Sequence, residues 1–221
     1  MPRTIRVINP NSSVTVTQGI DAALAPLRLD GGPAITCHTL HDAPPGIQSE
    51  ADIIKVLPQL AAFIHAHESD SSAFVIGCFS DPGLAMAREA SAHPVLGIGE
   101  SGMMSALIQG QRAGVIAIQP ASIPRHLRSW GAMGVTSRIA GERALGLDVE
   151  ALADEQRTWD RLLTVGRQLR DEDQADVLIL GCAGMPHYQH SLSQALDMPV
   201  VEPCRAATGM ALTAACLAMQ D

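Results

Sequence analysis

A chain of 221 residues, 47% of them apolar and only 17% charged, holds enough core-forming material to exclude a disordered segment. Its net charge of −8, with no basic cluster, excludes nucleic acid as the expected partner, and no apolar run approaches the ~18 residues that span a membrane. The opening MPRTIRVINPN is no secretion signal, and five cysteines without a CxxC pair point to reduced thiols in a cytoplasmic protein.

In chain order, apolar runs predict strands at 4–8, 34–39, 73–77, 95–98, 114–118, 135–139, 176–181 and 199–201. Helical periodicity predicts helices at 13–26, 50–68, 83–91, 102–110, 122–131, 154–171, 188–196 and 205–219. This alternation predicts an α/β protein with parallel sheets flanked by helices. In such sheets ligands sit beyond the carboxyl ends of the strands.

The chain also repeats itself. FVIGCFSDPG (74–83) matches VLILGCAGMP (177–186): an apolar run, Gly, Cys and a small turn. About 16 residues after each Cys comes a Pro-led strand, in HPVLGIGES (93–101) and MPVVEPCRA (198–206). IRVINPNSS (5–13) likewise matches GVIAIQPAS (114–122), which pairs Asn9 with Gln119. Two copies of one unit predict two pseudo-symmetric α/β lobes, 1–97 and 98–204, with the active site in the cleft between them. The last helix, 205–221, either returns to the first lobe or packs in a subunit interface, so a homo-oligomer stays open.

Cys78 and Cys182 occupy equivalent points of the repeat, whereas Cys37, Cys204 and Cys216 have no such counterparts. A strand-end thiol is often plain packing; two at matched points suggest a pair facing one ligand. A thiol of pKa ~8.5 becomes a useful base only when its thiolate is stabilised. Backbone N–H groups at a helix start supply that help, with Ser80 or Asp81 as cap and Pro82 in the first turn. After Cys182, Ala183-Gly184 allow close backbone approach, and the same N–H groups suit a developing enolate. One thiolate removing a proton while the opposite thiol supplies another inverts a carbon centre without any cofactor.

With INPNSS (8–13), GCFSDPGL (77–84), PVLGIGES (94–101) and LGCAGM (180–185), the chain resembles the aspartate/glutamate/hydantoin racemase superfamily. The likeness runs over essentially the whole chain and is strongest to the hydantoin and allantoin racemase branch. It implies two lobes enclosing a small-molecule substrate and an acid–base pair that maps onto Cys78 and Cys182. Amino-acid racemases of the superfamily follow their cysteines with Asn-Thr and Thr-His; Phe79-Ser80 and Ala183-Gly184 stand here instead. Those residues suit a 5-substituted hydantoin or similar cyclic ureide, with Phe79 and Met185 as an apolar wall. Allantoin, an amino acid of the Asp/Glu type and a maleate-like isomerisation substrate are the alternatives within the superfamily. A non-catalytic protein that binds a small ligand is the alternative outside it. Ser80, Ala117-Ile118 and Glu202-Pro203-Cys204 depart from the branch's usual Gly, Thr-Thr and Asp-Gly-Val, which leaves the substrate open.

Other residues carry two readings each. Asn9, Asn11 and Ser12 either shape a turn or bind substrate and orient Cys78, and Gln119 shares that choice. Glu100 and Glu202 rest in the cleft floor or cap helices; His187 contacts substrate, tunes Cys182 or decorates a helix face with His190. GIGESG (97–102) spells a dinucleotide fingerprint, but no acidic residue lies between Glu100 and Glu142 to hold a ribose. Neither a metal nor a cofactor is therefore expected. DEDQAD (171–176) reads as a solvated helix end.

Overall fold

The structure is a computed structural model describing residues 4–147 and 150–218. Residues 1–3 and 219–221, the outermost parts of the first lobe and the last helix as read from sequence, lie outside the described residues. The chain forms two compact units. The first runs to Ser101 and resumes at Cys204; the second spans Gly102–Pro203.

In the first unit, β1 (Thr4–Asn9), β2 (Ala34–Thr39), β3 (Ser71–Ile76) and β4 (Val95–Gly97) form a parallel sheet in the order β2-β1-β3-β4. The helices are α1 (Val14–Ala23), α2 (Glu50–His67) and α3 (Leu84–Ala90); α4 (Ile98–Gln109) starts in this unit and continues as the first element of the second. β3 is buried along its whole length, as a parallel strand covered on both faces must be. Ile8, Phe74 and Ile76 pack with Val56, Leu60 and Ile64 of α2 in one core cluster. Ser49 and Asp52 start α2 with a reciprocal capping box, each side chain accepting the other's backbone N–H.

The second unit repeats that topology. β5 (Ala113–Ala117), β6 (Ile139–Ala144), β7 (Val177–Gly181) and β8 (Val200–Val201) are parallel in the order β6-β5-β7-β8. Its helices are α5 (Ile123–Ala132), α6 (Glu155–Asp171) and α7 (Gln189–Leu196), and α8 (Pro203–Ala218) carries the chain back to the first unit. Leu162, Val165 and Leu169 of α6 pack on Ile116, Leu178 and Leu180 in its core. In the first unit, Arg205 Nε donates to the Ala23 carbonyl at 2.8 Å and ties α8 to the end of α1.

Three expectations need correction. The strand expected at 135–139 is a turn: Gly134 adopts φ 71° and Thr136–Arg138 forms a short 3₁₀ helix. Arg138 pins it by donating to the carbonyls of Gln111 and Gly110. The strand follows at Ile139–Ala144 as an edge strand, half-buried, which needs no continuous apolar run. Second, α4 begins at Ile98, four residues before its expected start, and α3 has Gly83 rather than Ser80 or Asp81 as its N-cap residue. Third, the acidic 171–176 run is not simply solvated. Asp173 pairs with Arg143 at 2.6 Å, and Asp176 accepts the backbone N–H groups of Gln111 and Arg112.

Candidate active site

In each unit the first and third strands lie side by side, and their following connections leave in opposite directions to the second and fourth strands. Such a switch point opens a crevice at the carboxyl ends of the two strands. The segments that emerge there are Pro10–Ser13 and Gly77–Ser80 in the first unit, and Ile118–Ser122 and Cys182–Met185 in the second. Both cysteines of the repeat are therefore at matched points, just past the third strand of identically ordered sheets.

Gly77 continues the ladder, its N–H donating to the Ile8 carbonyl at 2.7 Å. Cys78 follows, partly buried, and its carbonyl accepts the N–H of Asp81 at 2.9 Å to close a tight turn. Phe79 is buried and Ser80 partly so. Asp81 turns away from α3. Its Oδ1 accepts the Gly99 N–H at 2.9 Å and its Oδ2 the Glu100 N–H at 2.7 Å, which caps α4 instead. Desolvation by burial raises the Asp81 carboxyl to about 7 against the pull of those two donors.

Cys182 follows Gly181 directly and is partly buried. The Gly184 N–H donates to its sulfur at 3.2 Å. Burial nevertheless pushes this thiol up to about 11, and the Glu202 carboxylate adds to the rise. Glu202 is only 2% exposed, between β8 and α8. Ala183 is buried beside the thiol, and Met185 packs wholly within the second unit's core, supporting the turn from beneath.

The segment after β1 is built from amides. Asn9, 1% exposed, directs Nδ2 at Asn11 Oδ1, the Ser13 carbonyl and Thr17 Oγ1, each at 3.0 Å. Asn9 Oδ1 accepts the Asn11 N–H, and Asn11 Oδ1 accepts the Ser13 N–H at 2.9 Å. Asn9 is thus consumed in shaping its own loop. The cap of α1 is Ser13, one residue beyond Ser12, whose N–H donates to the Pro44 carbonyl. Gln119 uses its carbonyl to hold Ser122 at the next turn, and its side chain is partly exposed.

A family model described as Asp/Glu/Hydantoin racemase matches residues 5–211. The chain belongs to that family. It is 33% identical to the hydantoin racemase of Rhizobium meliloti over 94% of its own length and 86% of that protein's. Its fold is similar to that of the allantoin racemase from Klebsiella pneumoniae, with a TM-score of 0.89 and 29% identity over 98% of this chain and 89% of that one. The allantoin racemase from Pseudomonas fluorescens shares the fold at a TM-score of 0.92 and 21% identity, covering 97% of this chain and 92% of that one. Membership of this family supports racemase activity on a small molecule.

The remaining candidates of this racemase-family chain are drawn into local structure. Glu100 faces Arg88 in a two-pronged ion pair, Nη2 to Oε1 at 3.0 Å and Nη1 to Oε2 at 3.1 Å. His187 is exposed, its ring 3.9 Å from that of Tyr188, beside an open groove of about 360 Å³ shared with Trp159 and Glu155. No group of three His, Cys, Asp or Glu among the described residues is placed to hold a metal. No helix among them is long and apolar enough to cross a membrane. At the GIGESG segment, the first-turn N–H groups that would cradle a phosphate already hold the Asp81 carboxylate. Sequence reading missed the Glu142 cluster on β6, where His126 and Trp130 both face one buried carboxylate. No local pattern marks it, because its three members meet only when α5 packs on β6.

Proposed function

We propose that this protein is a cofactor-independent racemase that inverts the acidic C–H centre of a 5-substituted hydantoin or similar cyclic ureide. Cys78 and Cys182 are its acid–base pair, acting on opposite faces of one small substrate in the cytoplasm. One observation carries the reading: both sulfurs follow the third strand of identically ordered sheets, beside the switch point.

In this mechanism one thiolate takes the C5 proton, forming S–H, and the C–H electron pair moves into the adjacent carbonyl to make an enolate. The opposite thiol then gives its proton to the other face of C5. The enolate pair becomes the new C–H bond and the second sulfur is left as thiolate. Held up at about 11, Cys182 enters at neutral pH as the proton donor. Backbone N–H groups of the two cysteine turns, with Asn11 and Gln119, supply donors for the ring carbonyls.

Single enantiomers of a 5-alkyl hydantoin and of allantoin, incubated in heavy water with wild type, Cys78→Ser and Cys182→Ser, test the reading. Each variant is expected to lose racemisation by at least about a hundredfold, keeping deuterium exchange without inversion on at most one enantiomer. Normal racemisation by both variants overturns the mechanism. Binding without any exchange by wild type marks a non-catalytic ligand-binding protein. The preferred ring substituent, alkyl or ureido, follows from the relative kcat/KM values.

A further inference from the structure

We propose that Asp81 is a positioning residue for Cys78: its side-chain carboxyl group fastens the turn carrying the thiol to the first turn of α4. The inference rests on the racemase reading only for its consequence in catalysis. The fastening itself is a matter of geometry.

The connection is continuous. Asp81 N–H donates to the Cys78 carbonyl at 2.9 Å, and its two carboxylate oxygens accept the N–H groups of Gly99 and Glu100 at 2.9 and 2.7 Å. Asp81 holds this arrangement with φ 45°, a left-handed conformation that a non-glycine residue adopts at a cost. Gly97 and Gly99 make the room. A Cβ at Gly97 would lie 2.3–2.5 Å from the carboxyl atoms of Asp81, and one at Gly99 would lie 2.3 Å from the Phe79 carbonyl oxygen. The G-I-G of the apparent nucleotide fingerprint therefore serves an anion, but one supplied by the chain itself.

A carboxylate in this place is poised for control by protons. Both oxygens accept a backbone N–H, while burial disfavours the charged form, so ionisation is coupled to release of the turn from α4. The charged groups facing Asp81 are Glu100 of α4 and Arg88 of α3, which are paired with each other at 3.0 Å; β4 contributes only Gly97. Desolvation outweighs the donors and raises the carboxyl to about 7, inside the working range of a neutral-pH enzyme. A carboxyl whose value is raised only while the turn is packed binds its proton more tightly there, so acidification fastens the Cys78 turn and a rise in pH through 7 loosens it.

Site-resolved alkylation of Cys78 by iodoacetamide and hydrogen exchange of residues 78–84 and 97–103 test this, in wild type, Asp81→Asn and Gly99→Ala. Peptide masses separate Cys78 from the other four thiols. In wild type, the Cys78 labelling profile is expected to depart from a single-thiol titration near pH 7. Exchange in both segments, corrected for its intrinsic pH dependence, rises about tenfold on the alkaline side. Asp81→Asn abolishes the pH 7 feature and exchanges fast throughout, Gly99→Ala does the same, and Cys182 labelling is unchanged in all three. A native Cys78 profile in Asp81→Asn overturns the proposal. So does a folded wild type with no pH 7 transition in either measurement, which decides the matter even where a variant fails to fold. If these results appear but wild type does not racemise, the functional reading fails and the fastening stands. If wild type does racemise, Asp81→Asn lowers kcat more than it changes KM.

Discussion

The backbone N–H of Gly184 points at the sulfur of Cys182 from 3.2 Å, giving this thiolate a donor within its own turn. Burial outweighs that help, and the Glu202 carboxylate works against it too, so the thiol stays at about 11. Alkylation of Cys182 is then slow at neutral pH and climbs about tenfold per pH unit through pH 9. Glu202→Gln removes the like charge and raises the labelling rate at pH 8 about threefold or more. Peptide-resolved labelling checks both, and a plateau below pH 9 in wild type contradicts them.

The glycines preceding the two cysteines differ in how tightly they are held. A Cβ at Gly181 would stand 2.5 Å from the Ile116 carbonyl oxygen, and one at Gly77 3.0 Å from that of Ile8. Gly181→Ala has to push β7 away from β5 and costs about 1–3 kcal/mol or more. Gly77→Ala costs less. Denaturant midpoints of the two variants give the order, and equal losses would rule out this account.

Glu142 on β6 accepts from Trp130 Nε1 at 3.2 Å and pairs with His126; the His126 and Glu142 side chains are 3% and 2% exposed. Removing one member of so buried a pair strands the others. Glu142→Ala is expected to cost about 3–5 kcal/mol, and Glu142→Gln, which keeps an acceptor for Trp130, distinctly less. Urea unfolding measures the gap; similar values for both variants would show that the carboxylate matters only for its volume.

Asp81 titrates in the folded chain at about 7, above the ordinary carboxylate value of 3.8. A raised folded value means that the folded state binds the proton more tightly than the unfolded chain. The stability it confers is full below about pH 4 and is lost as pH rises through 7. The difference in melting temperature, wild type minus Asp81→Asn, therefore falls between pH 5 and pH 8. Buffer-matched thermal melts read it directly, and a difference that is flat or rising refutes the shift.

Much of the architecture is readable from the chain because its causes are local. Apolar runs such as FVI at 74–76 and VLIL at 177–180 mark buried parallel strands, and the Gly-Cys that follows each marks where a strand ends. The edge strand β6 is harder to read. Glu142 and Arg143 sit within it, and their acceptability depends on Trp130, His126 and Asp173, none of them near in sequence. The start of α4 is hidden for the same reason: its cap, Asp81, lies 18 residues upstream of Gly99.

By itself the sequence determined the alternation of strand and helix, the duplication, and the placing of one thiol past the third strand of each copy. Those features follow from side-chain periodicity and from turn residues a few positions apart, which act wherever the segment ends up. Tertiary structure alone decided what the polar side chains hold. It turned Asn9 inward on its own loop, gave Glu100 to Arg88, and spent the glycines at 97 and 99 on the carboxylate of Asp81. Hydrogen-bond partners are chosen by which distant elements pack together, and no spacing along the chain encodes that choice.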